Sequence, residues 1–220
     1  MPQAPLQALE IQAKSLRFIA DRLGEISAAL SAPPSRDTFP VFLEQANRLA
    51  LMLDLVMGRT PADAPHPLEY RDVFGWDFGV FAADWDAFTK PGGTGFSFYE
   101  HDWISAREAA TQTPEVRMGA WIELLKIDPK SLKLPIDHFA SECAVGELVF
   151  SLSAERCDPE MRAFRLAEAY ADRSIAWVSA WEPALERLPD GPVKAYLGAV
   201  VEFASNWKRV LSAYALMQSA

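Results

Sequence analysis

The sequence predicts an all-α protein that folds as a single helical bundle. Apolar residues recur at intervals of three and four along most of the chain, which is the period of a helix with one buried face. Prolines and glycines interrupt this pattern where helices should begin or end. The length of 220 residues suits one domain with a sizeable core. We therefore expect one all-helical domain over residues 1–220.

The first two helices are predicted from the spacing of their apolar residues. The first pattern consists of Leu9, Ala13, Leu16, Ala20 and Leu23. It should end before Pro33 and Pro34, because proline has no backbone donor and disfavours a helical residue before it. The second pattern consists of Phe42, Ala46, Leu49, Leu53 and Val56. Gly58 and Pro61 should end that helix.

The middle of the chain is rich in aromatic residues. It predicts a third helix over residues 66–88, which Gly75 and Gly79 weaken. The following segment, residues 90–103 (KPGGTGFSFYEHDW), has no helical period and contains three glycines and a proline. We expect a long loop there, and long loops often carry functional residues.

Two further helices are predicted from their starting signals. The run Thr-Pro-Glu at 113–115 combines an N-cap, a first-turn proline and an acid. It should open a helix that reaches about Ile127. Pro135 similarly opens a helix over residues 136–154.

The last third of the chain predicts two more helices. Asp158 and the proline after it open one helix, which should bend or break near Pro183. The other follows Pro192. Its core stripe consists of Tyr196, Val200, Phe203, Trp207, Val210 and Tyr214.

Composition and charge narrow the classes of partner. Lys and Arg total 21 and Asp and Glu total 30, which gives a formal net charge of −9. Such a chain is a poor match for the phosphate backbone of nucleic acids or for an anionic lipid surface. We expect no nucleic-acid partner and no direct lipid binding. A cationic partner is the natural complement.

Three features favour a cytoplasmic location. The two cysteines, Cys143 and Cys157, form no CxxC pair, and Cys143 lies where a small core residue would. The first residues (MPQAPLQALEIQ) lack the basic-then-apolar order of a secretory signal. The longest uncharged run, residues 210–220, is also shorter than a bilayer span. We expect a cytoplasmic protein.

The sequence offers no recognisable site for metal or covalent catalysis. Its histidines, His66, His101 and His138, stand in separate segments without the spacing of metal-binding helices. The chain has neither a G-x-S-x-G nucleophile motif nor a phosphate-binding glycine loop. We expect no catalytic residues, no metal and no tightly bound cofactor, and hence a binding protein rather than an enzyme.

Residues 135–138 are the strongest candidates for binding. Asp137 lies at a predicted helix start, where backbone N–H groups and the helix dipole favour an ionised carboxylate. Such a carboxylate can receive a guanidinium. In the structural alternative, Asp137 only neutralises its own helix terminus and His138 hydrogen-bonds a neighbouring loop. Both interpretations are open at this point.

A second candidate lies in the loop at 90–103. Tyr99 and Trp103 alternate with Glu100 and Asp102, an arrangement that could line an apolar groove with an acidic rim. The same aromatic residues could instead pin the loop onto the core. Pinning is the commoner role of large aromatic side chains.

The run Pro135-Ile136-Asp137-His138-Phe139 resembles the E-P-x-D-H motif of the TorD/DmsD/NarJ family of redox-enzyme maturation chaperones. The resemblance continues, in the family's order, along nearly the whole chain. The other matching positions are Tyr70-Arg71-Asp72-Val73-Phe74, Tyr99 and Trp103, Thr113-Pro114-Glu115-Val116-Arg117, Ile175-Ala176-Trp177, Phe203 and Trp207.

This resemblance implies an all-helical cytoplasmic chaperone for the precursor of a molybdopterin oxidoreductase. It would hold the precursor's twin-arginine leader, and often its body, until the cofactor is inserted, so the molybdopterin belongs to the client. Such a receptor needs carboxylates beside an apolar groove. The implied leader-binding residues are Tyr70, Phe74, Tyr99, Glu100, Trp103, Pro135, Asp137 and His138. We expect a monomer or a helix-exchanged dimer.

The chain departs from the family pattern at several points. Leu134 replaces the glutamate of the motif, and His101 or Asp102 stands where the family has a serine. An insertion at about residues 77–88 lengthens the route to the aromatic pair. These departures leave open a client without a twin-arginine leader.

Two other interpretations are also open. One is a helical protein that binds a nucleotide or small ligand and has weak hydrolase activity, since members of the resembled family have been proposed to bind guanine nucleotides. Against it, the chain is acidic and has no phosphate-binding loop. The other is a helical interaction or regulatory protein that has nothing to do with redox enzymes.

Overall fold

Helices account for most of the described residues of the computed structural model, so the predicted all-α fold is confirmed. The structure describes residues 3–58, 76–89, 96–104, 112–188 and 190–219. The helices, numbered here in chain order, are α1 (Gln3–Leu30), α2 (Phe39–Met57), α3 (Phe78–Thr89), α4 (Pro114–Leu125), α5 (Phe139–Glu155), α6 (Arg162–Ser174), α7 (Glu182–Glu186), α8 (Pro192–Ser205) and α9 (Trp207–Ser219). Within the described ranges, none of these helices combines the length and apolar character needed to cross a bilayer.

The centre of the bundle is the contact between α1 and α5, which run antiparallel. Ser27, near the end of α1, donates a hydrogen bond to the carbonyl of Ala140 at the start of α5, at 2.7 Å. At the opposite end of α5, Glu155 lies 3.9 Å from Arg17 of α1. Side chains buried in the two helices include Leu16, Ile19, Leu23, Cys143, Val145 and Val149. Burial of this apolar surface is the main favourable term in folding.

Gly146 of α5 allows three helices to meet closely. A Cβ added at this position would lie 3.0 Å from side-chain carbons of Leu23 in α1 and Tyr170 in α6. Both neighbours are fully buried, so they cannot move aside without loosening the core. Packing therefore requires glycine here, although glycine lowers helix propensity.

Helices α8 and α9 complete the bundle. Helix α8 packs on α2, on α3 and on a 3₁₀ turn at Ala176–Trp181. The rings of Tyr196 and Phe42 join α8 to α2, with centroids 4.7 Å apart. Helix α9 packs on α1 and α2, and Tyr214 stacks on Phe18 at 4.2 Å.

The prediction of one continuous last helix is wrong, because the chain breaks at Asn206. The backbone of this residue leaves the helical region (φ −117°, ψ 16°). Its side-chain amide donates a hydrogen bond to the carbonyl of Glu202 at 2.9 Å. Asparagine competes with the helical backbone in this way. The predicted apolar stripe still forms, since Trp207 and Val210 remain buried beyond the break.

The predicted third helix is confirmed over residues 78–88, whereas Trp76 and Asp77, which the prediction included, lie before the helix. Helix α3 begins at Phe78, because the Oδ1 atom of Asp77 accepts the N–H of Gly79 at 2.7 Å and so caps the helix. Residues 66–75 of that prediction lie outside the described residues.

Two other helix ends differ from the prediction. The break after α6 occurs at Ile175 and not near Pro183, which lies in the first turn of α7, where its missing N–H costs nothing. Helix α4 ends at Leu125 because Lys126 adopts a left-handed conformation, with φ of 56°. By contrast, α1 ends before Pro33, and α2 ends next to Gly58, as predicted.

Replacing Gly146 by alanine should destabilise the protein. The added methyl group would crowd Leu23 and Tyr170, and overpacking of this kind costs roughly 1–3 kcal/mol of unfolding free energy. Urea unfolding followed by circular dichroism measures the change. Gly119→Ala in α4 is the matched control, since among the described residues no atom outside its own stretch of helix lies within 4 Å of the added Cβ. There we expect a gain of about 0.5–1 kcal/mol from helix propensity, and equal effects at both sites would contradict the packing argument.

Candidate functional site

The loop and the helix start that the sequence singled out lie side by side. The backbone N–H of Glu100 donates to the carbonyl of Asp137 at 3.0 Å, and the N–H of Phe139 donates to the carbonyl of Phe98 at 2.9 Å. Tyr99 and His138 form an isolated antiparallel bridge between these hydrogen bonds. The structure thus brings together Tyr99, Glu100, Trp103, Pro135, Asp137 and His138. Tyr70 and Phe74 lie outside the described residues.

His138, and not Asp137, caps α5. The predicted start at residue 136 is therefore wrong by three residues, because the Nδ1 atom of His138 accepts the N–H of Ala140 at 3.1 Å. The imidazole is buried, and its ring lies edge-on to that of Tyr99 with centroids 5.0 Å apart. Burial lowers the pKa of His138 to about 4, so the ring is neutral at pH 7 and keeps the lone pair that the cap needs.

Asp137 does not cap α5, although the structural alternative expected it to act at the start of that helix. Its side chain is turned toward the loop, where the Nδ1 atom of His101 hydrogen-bonds one carboxylate oxygen. Asp137 itself is only 5% exposed, whereas half of the His101 side chain is exposed. The two residues therefore have the opposite roles to those that the structural alternative gave them. His138 caps α5, and Asp137 hydrogen-bonds the neighbouring loop.

The hydrogen bond that His101 donates to Asp137 raises the pKa of His101 above its usual 6.5, and the nearby charge of Asp102 adds to the effect. A histidine whose pKa is raised by folding stabilises the folded state fully below its unfolded pKa of about 6.5. That contribution disappears as the pH rises through the pKa of the folded state. The contact between His101 and Asp137 is therefore strongest in mildly acidic solution.

Three carboxylates and one imidazole gather at this surface. We call Asp102, Glu115, Asp137 and His101 the acidic cluster. Ligand atoms of His101, Glu115 and Asp137 lie within 4.8 Å of one another, although the residues come from three separate segments. Two carboxylates and an imidazole are groups that can bind a divalent cation, and the carboxylates can equally bind a guanidinium. The cluster is thus a place where positive charge is favoured.

Glu100 does not form the exposed acidic rim that the sequence predicts. Its side chain is buried and pairs with Arg117 of α4. The same guanidinium lies 3.5 Å from Oε1 of Glu142 and donates through Nε to the hydroxyl of Ser174 at 3.4 Å. Trp177 donates its Nε1–H to Oε2 of Glu142 at 2.6 Å. Glu100 is therefore part of an internal network rather than of a surface groove.

Burial, and the charge of Glu100 beside it, raise the pKa of Glu142 well above its usual range and so favour its neutral form. The network then contains the ion pair of Glu100 with Arg117 and a second acid whose neutral form is favoured. A neutral acid avoids the cost of a second buried negative charge. This explains how two glutamates share one arginine inside an apolar bundle.

A cavity of about 540 Å³ opens beside this network. Its walls include Arg117 and Glu100, the ring of Trp177 and the exposed Arg173. Its volume is in the range of small-molecule sites, and its polar groups include two guanidinium ions.

The aromatic pair is used mainly to hold the loop. Trp103 donates its Nε1–H to the carbonyl of Ser97 at 2.8 Å, and its ring packs on Phe96 with centroids 5.3 Å apart. Tyr99 and Trp103 are each half-buried. Pro135 is exposed, and its carbonyl accepts the N–H of His138 at 3.1 Å. This geometry matches the alternative in which the aromatics pin the loop to the core.

Sequence reasoning missed three residues of the site: His101, Arg117 and Glu142. Glu142 carried a usable signal, because it lies three positions after Phe139 and therefore on the buried side of α5. A charged residue there requires a partner, which is Arg117. His101 carried a weaker signal, since either it or Asp102 stands where the resembled family has a serine.

Comparison with protein-family models gives no match for this chain. The curated proteins and the solved structures give none either. The arguments about function therefore start from the geometry and charge of the site itself.

Replacing Glu100 by glutamine should lower the unfolding free energy much more than replacing Glu142 by glutamine. Glu100→Gln leaves the Arg117 guanidinium in the interior without a counter-ion, and breaking a buried pair in this way costs about 3–5 kcal/mol. Burial favours the neutral form of Glu142, and Glu142→Gln puts a neutral amide there whose oxygen can still accept from Trp177, so we expect a loss below about 1 kcal/mol. Urea unfolding at pH 7 measures both, and similar losses would show that Glu142 is ionised.

Proposed function

We propose that the protein is a cytoplasmic assembly chaperone that binds an arginine-bearing leader, and in some cases the body, of a molybdopterin oxidoreductase precursor. It would hold the precursor and assist insertion of the molybdopterin cofactor before export or assembly. The observation that carries the proposal is the acidic cluster, in which Asp137 lies beneath Asp102 and Glu115.

The contact that Asp137 makes now is one that an arginine can replace. Within the described part of the chain, its cationic contact is the half-exposed His101. An imidazole offers one hydrogen bond to the carboxylate, whereas a guanidinium offers a planar pair of donors. His101 can rotate into solvent when a peptide arginine takes its place. The exchange adds hydrogen bonds at Asp137 without leaving a buried group unpaired.

The charge of the whole chain acts in the same direction. A net charge of −9 attracts a basic peptide at long range, and Asp102 and Glu115 extend the attraction to the rim of the site. Steering of this kind raises the association rate and weakens with salt. The nature of the client rests on the resemblance of residues 135–139 to the chaperone motif, and a chaperone of this kind binds without turnover.

Asp137→Asn should weaken binding of a peptide that carries an arginine pair before an apolar stretch. The loss of a charge-assisted hydrogen bond predicts a decrease of about 1.5–3 kcal/mol, or about tenfold to a hundredfold in Kd. Isothermal titration calorimetry at pH 7.5 measures it.

Glu123→Gln, at an exposed acid on the far end of α4, is the matched control and should change the Kd little. A second peptide with citrulline in place of both arginines should bind weakly to the native protein. If Asp137→Asn binds the arginine peptide as tightly as the native protein does, Asp137 is not in the site.

The cavity beside Arg117 and Arg173 supports a second candidate function, binding of an anionic small ligand such as a guanine nucleotide with weak hydrolysis. The exposed Arg173 and the Trp177 ring are suitable for a phosphate and a base, whereas Glu100 pairs with Arg117 and the carboxylate of Asp172 also lines the cavity. Purified protein with Mg²⁺ and GTP, assayed for phosphate release, separates the candidates. We expect no sustained turnover from a chaperone. Turnover that Arg173→Ala abolishes would favour the enzyme.

A further inference from the structure

A second cavity, with mainly apolar walls, lies where α1, α6 and α9 meet. Its volume is about 440 Å³, which is within the range of small-molecule sites. Leu9 and Ile11 of α1, Phe164 of α6 and Leu211 of α9 contribute apolar side chains to the walls. A cavity of this kind binds apolar molecules because its lining gains contacts that empty space cannot supply.

One charged residue, Asp158, is among the described residues that line this cavity, and its carboxylate is already bound by the backbone. Its Oδ1 atom accepts the N–H of Glu160 at 2.9 Å. Its Oδ2 atom accepts the first two N–H groups of α6, at 3.1 and 3.2 Å. Three of the roughly four acceptor positions of a carboxylate are therefore used within the protein. Asp158 thus shapes the start of α6 and offers little to a ligand.

The other charged residues near the cavity do not line it. Lys14 pairs with Glu10 at 2.8 Å, and Arg162 pairs with Glu160. Arg165 is exposed on α6 and is not part of the cavity wall. An ion placed inside would be removed from water without a counter-ion, which is costly. The charges of the site therefore favour an uncharged ligand.

The amide of Gln12 is a polar group on the cavity wall with a weak partner. Gln12 is half-buried, and its Nε2 atom donates a hydrogen bond to Sδ of Met161 at 2.9 Å. A thioether sulfur accepts hydrogen bonds weakly. An oxygen of a ligand would be a stronger acceptor for this N–H. Met161 can move aside, because it is 40% exposed and its side chain is unbranched and flexible.

The backbone of Met161 is in the left-handed region, with φ of 60° and ψ of 22°. This conformation favours glycine, and residues with a side chain adopt it at a cost. Glycine at this position would have no side chain to reach Gln12. A strained residue at a cavity wall is a sign that its side chain is used there. The conformation of Met161 is thus a second observation that points to a ligand.

We propose that this cavity binds a small uncharged molecule that has an apolar body and one carbonyl or hydroxyl oxygen. The body contacts Phe164 and Leu211, the oxygen accepts the N–H of Gln12, and Met161 packs over the ligand. The site follows the carboxyl end of α5, whereas Asp137 precedes the amino end of this helix, which spans about 25 Å. The inference is therefore independent of the proposed function.

Fluorescence titration with the dye Prodan tests the proposal. Prodan is an uncharged naphthalene with a dimethylamino group and a propionyl carbonyl, and its emission shifts to shorter wavelength in apolar surroundings. The native protein should bind it saturably. Gln12→Leu should weaken binding about fivefold, because one net hydrogen bond is lost. Dimethylaminonaphthalene, which has no carbonyl, should bind this variant at least as tightly as the native protein, measured by displacement of Prodan.

A second variant fills the cavity. Ala215 is half-buried and lies four positions after Leu211, so both are on one face of α9. Ala215→Phe should weaken binding of both compounds at least about tenfold, since the ligand loses most of its buried contact. If this variant fails to fold by circular dichroism, Ala8→Phe fills the cavity from its exposed edge and should have the same effect.

Two matched controls make the same changes outside the cavity. Gln7→Leu alters an exposed glutamine of α1 that does not line the cavity. Ala120→Phe alters an exposed alanine of α4. Both controls should bind Prodan as the native protein does.

The outcomes decide both the site and the kind of ligand. Absence of saturable Prodan binding, or binding that neither phenylalanine variant weakens, would overturn the proposal. Equal losses of both compounds in Gln12→Leu would show that the amide does not bind a ligand oxygen, which contradicts the proposed ligand class. Asp137→Asn should leave Prodan binding unchanged, so this site and the leader-binding site can fail separately.

Discussion

Two backbone hydrogen bonds, between Glu100 and Asp137 and between Phe98 and Phe139, bring the charged side chains of the loop next to Asp137. They attach a loop to the segment before α5, although the two are far apart in the sequence. A loop fixed in this way has its backbone groups satisfied by protein rather than by water, so its side chains take defined directions. Glu100 then enters the interior, whereas His101 and Asp102 remain at the surface.

The attachment of the loop also separates a buried network of charged residues from an exposed acidic cluster. Inside, Glu100 and Arg117 form an ion pair, and burial favours the neutral form of Glu142, which lowers the cost of holding this network in an apolar core. Outside, the acidic cluster keeps an excess of negative charge where water and a partner can reach it. Adjacent positions in one short 3₁₀ turn, Glu100–Asp102, therefore serve stability and binding separately.

Helical spacing was sufficient to predict the fold class and most helix positions, because burial of apolar stripes dominates the energy of a bundle. The errors occur where one polar side chain outweighs that pattern. The amide of Asn206 divides the last helix, and the imidazole of His138 moves the start of α5. The pairing of Asp137 with His101 depends on contact between distant segments, which no local pattern contains. The residues suggested by motif were largely brought together, but their individual roles required coordinates.

The cap formed by His138 makes the stability of the folded state sensitive to acid. Its pKa of about 4 lies below the value of about 6.5 in an unfolded chain, so the unfolded form takes up protons first as the solution is acidified. Between these two values each step downward in pH weakens the folded state, in the opposite sense to His101. Once His138 accepts a proton, its ring presents a donor to the N–H of Ala140, and the cap becomes a repulsion. The cap at the first turn of α5 therefore sets a lower pH limit for the stability of the folded protein.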